Sequence, residues 1–224
     1  MTKSKVDFYT AYNIYDVFNF VIIPNKKIKM LQTEVTQKLY KFVMGENPSY
    51  FKGKNKLPVE SVSWYDAIYF CNKLSEITGK TPVYFVENKS KVTDWNYTPH
   101  NGESLKGIVT QNTNANGYRL PSKNEWYYAA QGGENFIYAG SNSLADVAWY
   151  CLDRDKTLLT REVGMKKPNA YGLYDMSGNV FEWLFDKNEY LFYHRYFAGG
   201  DWTLYSKTYN IDHFGIREAD NNSE

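Results

Sequence analysis

NAYGLYDMSGNVFEW, Asn169 to Trp183, is the stretch on which the reading of this chain turns. Asp175 and Glu182 stand seven residues apart on either side of a Ser177-Gly178-Asn179 turn. Oxygen ligands separated by a glycine turn suit a hard cation such as calcium, with backbone carbonyls filling the remaining positions. Carboxylates beside turns more commonly cap a helix or pair with a cation, so the spacing alone leaves both readings open.

N-terminal to that stretch the chain alternates helix signals with turns. Residues 17–32, VFNFVIIPNKKIKMLQ, read as two short strands joined at Pro24-Asn25-Lys26-Lys27. Thr36 is placed to cap a helix with apolar face Leu39, Tyr40 and Val43, ended by Gly45. Ser63 caps a second, with Ala67, Ile68, Cys71 and Leu74 as its core stripe and Gly79 as its stop. Residues 87–116, rich in Asn, Thr, Lys and Ser, predict a long excursion with one hairpin. Pro121-Ser122 and Glu125 form the entry and capping box of a third helix. The last hundred residues read as short aromatic pieces between Gly, Asn and Asp turns. The sum is one α+β domain over residues 1–224 with much irregular structure.

Composition excludes several classes. The 224 residues carry 26 Lys plus Arg against 25 Asp plus Glu, so no basic stripe calls for nucleic acid. No apolar run approaches the roughly 20 residues of a membrane span. His100, His194 and His213 have no metal-ligand spacing, and no G-x-S-x-G elbow or phosphate-cradling glycine loop is present. Cys71 lies on the apolar stripe of its helix and Cys151 follows Ala148-Trp149-Tyr150, settings of inert cysteines. Aromatic residues make up 18%, with 21 Tyr, which serve cores and binding surfaces alike.

The ordered segments LQTEVTQKLY, PVESVSWYDAIYFCNKLSE, GYRLPSKNEWYYAA, NAYGLYDMSGNVFEW and GGDW, from Leu31 to Trp202, resemble the formylglycine-generating enzyme or sulfatase-modifying factor family. The resemblance implies a C-type-lectin-like fold with low regular secondary structure. It also implies structural calcium held by Asp175 and Glu182 with backbone oxygens of Gly178 and Val180. The family's other calcium site has no counterpart between Trp149 and Gly164. Oxidase activity in the family depends on a copper-binding cysteine pair in the C-terminal part. No cysteine follows Cys151, so neither copper nor catalysis is expected. Family members finish with a G-F-R core strand after the loop that here reads ADNNSE. The closing strand is therefore expected either to lie beyond these residues or to be missing, the former favoured because losing a core strand would expose its neighbours.

Variable proteins of diversity-generating retroelements use the same scaffold and place a hypermutated site near its C-terminus. Residues reachable from asparagine codons by adenine mutation crowd the region after Trp183. They are Phe185, Tyr190, Leu191, Phe192, Tyr193, His194, Phe197, Thr203, Leu204, Tyr205, Asp212, His213 and Phe214. Aromatic anchors beside adaptable hydrogen-bonding groups are what antibody paratopes use. The expectation is a non-catalytic, monomeric ligand-binding protein at a bacterial cell surface, lipid-anchored upstream of these residues. It would act as a diversified receptor or adhesin for a protein or other macromolecule on a host or neighbouring cell. The alternative is a fixed-ligand or accessory member of the family. Phe185, Tyr190, Phe192, Tyr193, Tyr205, His213 and Phe214 are expected to be mostly exposed and to form one patch.

Overall fold

Helices begin where a hydroxyl accepts the free amides of a first turn. The computed structural model describes residues 18–53, 55–150, 159–203 and 206–221. Helix α1 (Gln37–Met44) starts at Thr36, whose side chain accepts from Leu39 N, and closes on Gly45 at φ 92°. Helix α2 (Trp64–Ile77) opens with a reciprocal Ser63–Asp66 box and stops at Thr78, one residue before the glycine expected to end it. Helix α3 (Lys123–Gln131) repeats the device with Ser122 and Glu125. Arg119 grips that glutamate through two bonds of 2.6 Å. A further single turn, α4 (Leu144–Val147), lies where only loops were read; four residues are too few for periodicity to register.

The strands are short and fall into three antiparallel sheets. β1 (Phe20–Ile22) pairs with β2 (Lys29–Leu31) across the anticipated Pro24–Lys27 turn. β3 (Tyr84–Val86) pairs with β4 (Val109–Gln111), so the polar excursion is the long loop of one hairpin. The third sheet runs β5 (Glu182–Lys187), β6 (His194–Ala198), β7 (Gly215–Glu218).

That third sheet sits in the middle of the molecule. Alternation sends Trp183 and Phe185 toward a cluster built on α1 and α2, including Tyr40, Trp64, Ile68 and Leu74. It sends Leu184, Tyr196 and Ala198 toward a second cluster that contains Trp126, Ala129 and Leu173. Two indoles lace it in place: Trp64 Nε1 donates to the Leu184 carbonyl at 2.9 Å and Trp183 Nε1 to the Val62 carbonyl at 2.8 Å. Between Trp183 and Lys187 the register slips, since these residues pair with Phe197 and Arg195. β5 therefore bulges before entering the hairpin loop.

β7 corrects the expectation of a missing strand. Gly215-Ile216-Arg217 carries the G-x-R pattern and pairs with β6 in register, Phe197 opposite Gly215 and His194 opposite Glu218. The pattern lies before the sequence ADNNSE rather than after it. Its glycine is required by packing, because a Cβ there would meet the Phe197 ring at 2.2 Å.

Candidate functional site

The turn before β5 is bent by residues that L side chains rarely permit. Asp175, Gly178 and Asn179 have φ of 57°, 85° and 63°. Gly178 admits no side chain, because a Cβ would lie 2.4 Å from the Trp149 carbonyl oxygen. The turn is pinned by Gly178 N donating to Gly199 O at 2.7 Å, Asn179 N to Trp149 O at 2.8 Å, and Arg161 N to Asn179 Oδ1 at 2.9 Å. Asp175 is 3% exposed; its Oδ2 accepts from Gly164 N at 2.6 Å, while its buried Oδ1 has no partner. Glu182 Oε2 accepts from Trp126 Nε1 at 2.9 Å.

A third carboxylate that the sequence reading did not single out completes the arrangement. Glu34, in the β2–α1 connection, takes Val180 N on Oε1 at 3.0 Å and Asn179 Nδ2 on Oε2 at 2.6 Å. Burial pushes Asp175 up to about 6 and Glu182 up to about 7. It also raises Glu34 well above the usual carboxylate range, helped by the charges of Asp175 and Glu182. Among the described residues no lysine, arginine or histidine forms an ion pair with any of the three. Nor, among the described residues, do three or more His, Cys, Asp or Glu side chains gather closely enough to hold a metal by themselves. Two carboxylates supplemented by carbonyls remain compatible with calcium, and the orphaned Asp175 oxygen is the atom such an ion would engage.

The other notable surface is the β5–β6 hairpin tip. Asn188 Oδ1 accepts from both Tyr190 N and Leu191 N, at 2.9 and 3.0 Å, and His194 N closes onto Leu191 O at 2.9 Å. This Asx turn rests on the Asn188 side chain and needs nothing from the side chains of residues 190–193. They point outward accordingly: Tyr190 is 89% exposed, Leu191 45%, Phe192 74% and Tyr193 77%.

The remaining expected site residues do not join that tip in one patch. Asp212 and His213 are exposed, but His213 and Phe214 precede Gly215, opposite Phe197, whereas the tip leads into His194, opposite Glu218. The two groups thus flank opposite ends of β6. Phe185 stacks on Tyr84 with ring centroids 5.5 Å apart and packs, half-buried, against the first core cluster. Phe214 sits edge-on to Trp126 and packs against the second. Phe197 lies 4.3 Å from the Phe181 ring and beneath the Arg217 guanidinium. His194 and Thr203 are half-buried, the latter tied to Asp201 Oδ1 at 2.7 Å. Phe185 and Phe214 are therefore half-buried against the two core clusters rather than exposed as expected. Leu204, Tyr205 and Cys151 lie outside the described residues.

A cavity of about 790 Å³, also absent from the sequence reading, runs beside this sheet. Glu34, Val180, Phe181, Glu182, Phe197 and Trp202 are among the residues that line it.

Residues 21–223 match the sulfatase-modifying factor enzyme 1-like domain. The chain belongs to that family. Within it, Chaperone protein LppX of Paenibacillus barcinonensis is 43% identical over 171 residues, 68% of this chain and 60% of that relative. The formylglycine-generating enzyme of Streptomyces coelicolor is 36% identical over 83 residues, 31% of this chain and 26% of the enzyme. The match thus spans less than two thirds of either relative's length. Among solved structures, Treponema denticola variable protein 1 gives a TM-score of 0.75 at 30% identity, covering 91% of this chain and 87% of that one. PvdO from Pseudomonas aeruginosa gives 0.60 at 18% identity over 91% and 86%, a likeness of fold alone. The formylglycine-generating-enzyme fold, with its short sheets and little regular structure, is the one this family member adopts. Its Cys71 is buried, and that burial pushes the thiol up to about 12, which removes it as a nucleophile near neutral pH.

Proposed function

We propose that this sulfatase-modifying factor family member is a non-catalytic binding protein that displays the β5–β6 hairpin tip to a protein partner at the cell surface. One observation carries the proposal: four consecutive large apolar residues, Tyr190 to Tyr193, stand in solvent on a loop whose backbone is satisfied without them. Contiguous exposed apolar surface of this kind marks an interaction site, and tyrosine-rich loops on a rigid frame are effective anchors. Against catalysis stand the buried Cys71 and the lack of any cysteine after Cys151. Diversification of the tip by a retroelement is favoured by the 30% identity to Treponema denticola variable protein 1. Structural calcium on Asp175 and Glu182, with carbonyls of Gly178 and Val180, is the second part of the proposal; it rests on the orphaned Asp175 Oδ1.

A fixed protein partner is the second reading, favoured by the 43% identity to Chaperone protein LppX. Sequencing beside the gene separates the two. Diversification requires a near-copy of the 3′ end next to a reverse transcriptase gene, differing only at template adenines; its absence leaves the fixed partner. Both readings share one expected result. Immobilised wild-type protein, screened on arrays of bacterial and host surface proteins, is compared with the variant Y190S/L191S/F192S/Y193S. The variant should bind the wild-type hits at least about a hundredfold more weakly, since buried aromatic anchors are each worth about 2 kcal/mol or more. Its melting temperature should stay within about 2 °C. Equal binding by the two proteins sinks the tip as the site.

A further inference from the structure

We infer that Arg195 determines which partner the hairpin tip accepts, by docking a carboxylate of that protein beside the aromatic side chains; this rests on the reading of the tip as a binding site. Arg195 stands in β6 just after the tip, half-buried, with its guanidinium 4.1 Å from the centroid of the Trp64 ring. Its Nε is buried without a hydrogen-bond partner, and among the described residues no carboxylate forms an ion pair with it. Burial holds its pKa below the ordinary arginine value. A guanidinium withdrawn from water is normally paired, and the described residues provide no mate.

Strand pairing sets Arg195 in the middle of a row of cations. Lys187 of β5 and Arg217 of β7 stand directly opposite it on its two sides. Like charges so opposed weaken a sheet, and the row calls for a counter-charge from outside. The nearby carboxylates do not supply one. Asp186 and Glu218 fall on the other face by alternation, and Asp186 accepts there from Lys123 N of α3. Asp220 lies within electrostatic reach of Tyr65, as Arg195 does, but is bonded to Ser104 Oγ. Two contacts join Arg195 to the tip: Lys187 Nζ lies 5.2 Å from the Phe192 ring, and Tyr65 is in electrostatic reach of both Arg195 and Tyr193. Aromatic anchors beside an arginine fork are the pairing that concentrates binding energy at protein interfaces, and the fork matches a carboxylate bidentately. A net charge of only +1 gives no broad field for a polyanion. The occupant is therefore a protein segment with Asp or Glu next to an apolar side chain.

The test selects random linear peptides, displayed on phage, against immobilised wild-type protein. Enriched peptides should carry an acidic residue, and replacing it by its amide should weaken binding by about tenfold or more, as for a charge pair at an interface. R195M keeps an apolar stem over Trp64 and should bind acid and amide peptides alike. R195K should recover only part of the discrimination, because a point charge lacks the fork. The melting temperature of R195M should be unchanged or higher, since a charge set among like charges has gone. A preference for acid over amide that survives in R195M overturns the role of Arg195 while leaving the tip as the site. Enriched peptides bound equally by Y190S/L191S/F192S/Y193S overturn the tip as well. Failure to enrich any acidic peptide overturns the inference; heparin fragments then captured by wild type and not by R195M would make the partner an anionic glycan.

Discussion

In chelator, the protein should become more stable as the pH falls from about 7 toward 5, the reverse of ordinary acid denaturation. Asp175 rises to about 6 and Glu182 to about 7 on folding, from ordinary values of 3.8 and 4.5. The folded state therefore binds more protons than the unfolded state throughout that window, and stability grows as protons are supplied. Each shift of about 2 units corresponds to about 3 kcal/mol, so the pair contributes on the order of 3–6 kcal/mol between pH 7 and pH 4. Glu34 shifts in the same direction and adds to the slope. Asp66 and Glu125 work in the opposite sense. Burial raises each, but hydrogen bonds outweigh it, from His100 to Asp66 and from Arg119 to Glu125. Their loss is felt only below about pH 4. Saturating calcium should invert the upper part of the curve, because the ion engages deprotonated carboxylates and its stabilisation grows with pH. The measurement is urea unfolding at half-unit pH steps, with chelator and with calcium. A flat chelator curve between pH 5 and 7 would show that these carboxyls are not held away from water.

Gly178→Ala should be the most damaging single-methyl change in the turn before β5. The new Cβ would lie 2.4 Å from the Trp149 carbonyl oxygen and 3.0 Å from the Ala148 side chain, at a φ of 85°. The left-handed backbone costs a non-glycine residue about 1–3 kcal/mol, and overpacking against backbone adds about 1–3 kcal/mol. A loss of about 2–6 kcal/mol in the denaturant midpoint extrapolation is expected, a large part of a domain's total. Gly45→Ala is the control: φ is 92° there too, but nothing lies within 4 Å of the added atom, so only the backbone share should appear. Equal losses at both positions would mean that the Trp149 contact contributes nothing.

What the sequence disclosed and what it withheld divide along the range of the interactions. Thr36, Ser63 and Ser122 announced their helices because a cap is a local bond, satisfied within three residues. The turn around Gly178 was legible for the same reason. Glu34 was not, because nothing near TEVT distinguishes a glutamate that turns outward from one that reaches Asn179 across 145 residues. Phe185 and Phe214 were expected on the surface and are half-buried for a related cause: composition marks them as aromatic, but only packing against distant segments decides where each ring goes. Tyr190, Phe192 and Tyr193 were expected to be exposed, and they stand on a turn outside any strand. The closing strand was overlooked because Ile216 replaces the expected phenylalanine and a loop follows it.

The central position of the β5–β6–β7 sheet has a consequence for how the molecule comes into being. Synthesis runs from the N-terminus, so Trp64, Ile68, Trp126 and Ala129 leave the ribosome well before Glu182–Glu218, which separates their two clusters. Until that segment emerges, the carbonyls that receive the Trp64 indole and the Trp64 amide, those of Leu184 and Ala219, do not exist. Two incomplete apolar layers must wait for the filling between them, and nascent chains halted near residue 180 should be sticky intermediates rather than native-like halves. This late-made sheet is the keystone of both layers, so their packing waits on its synthesis.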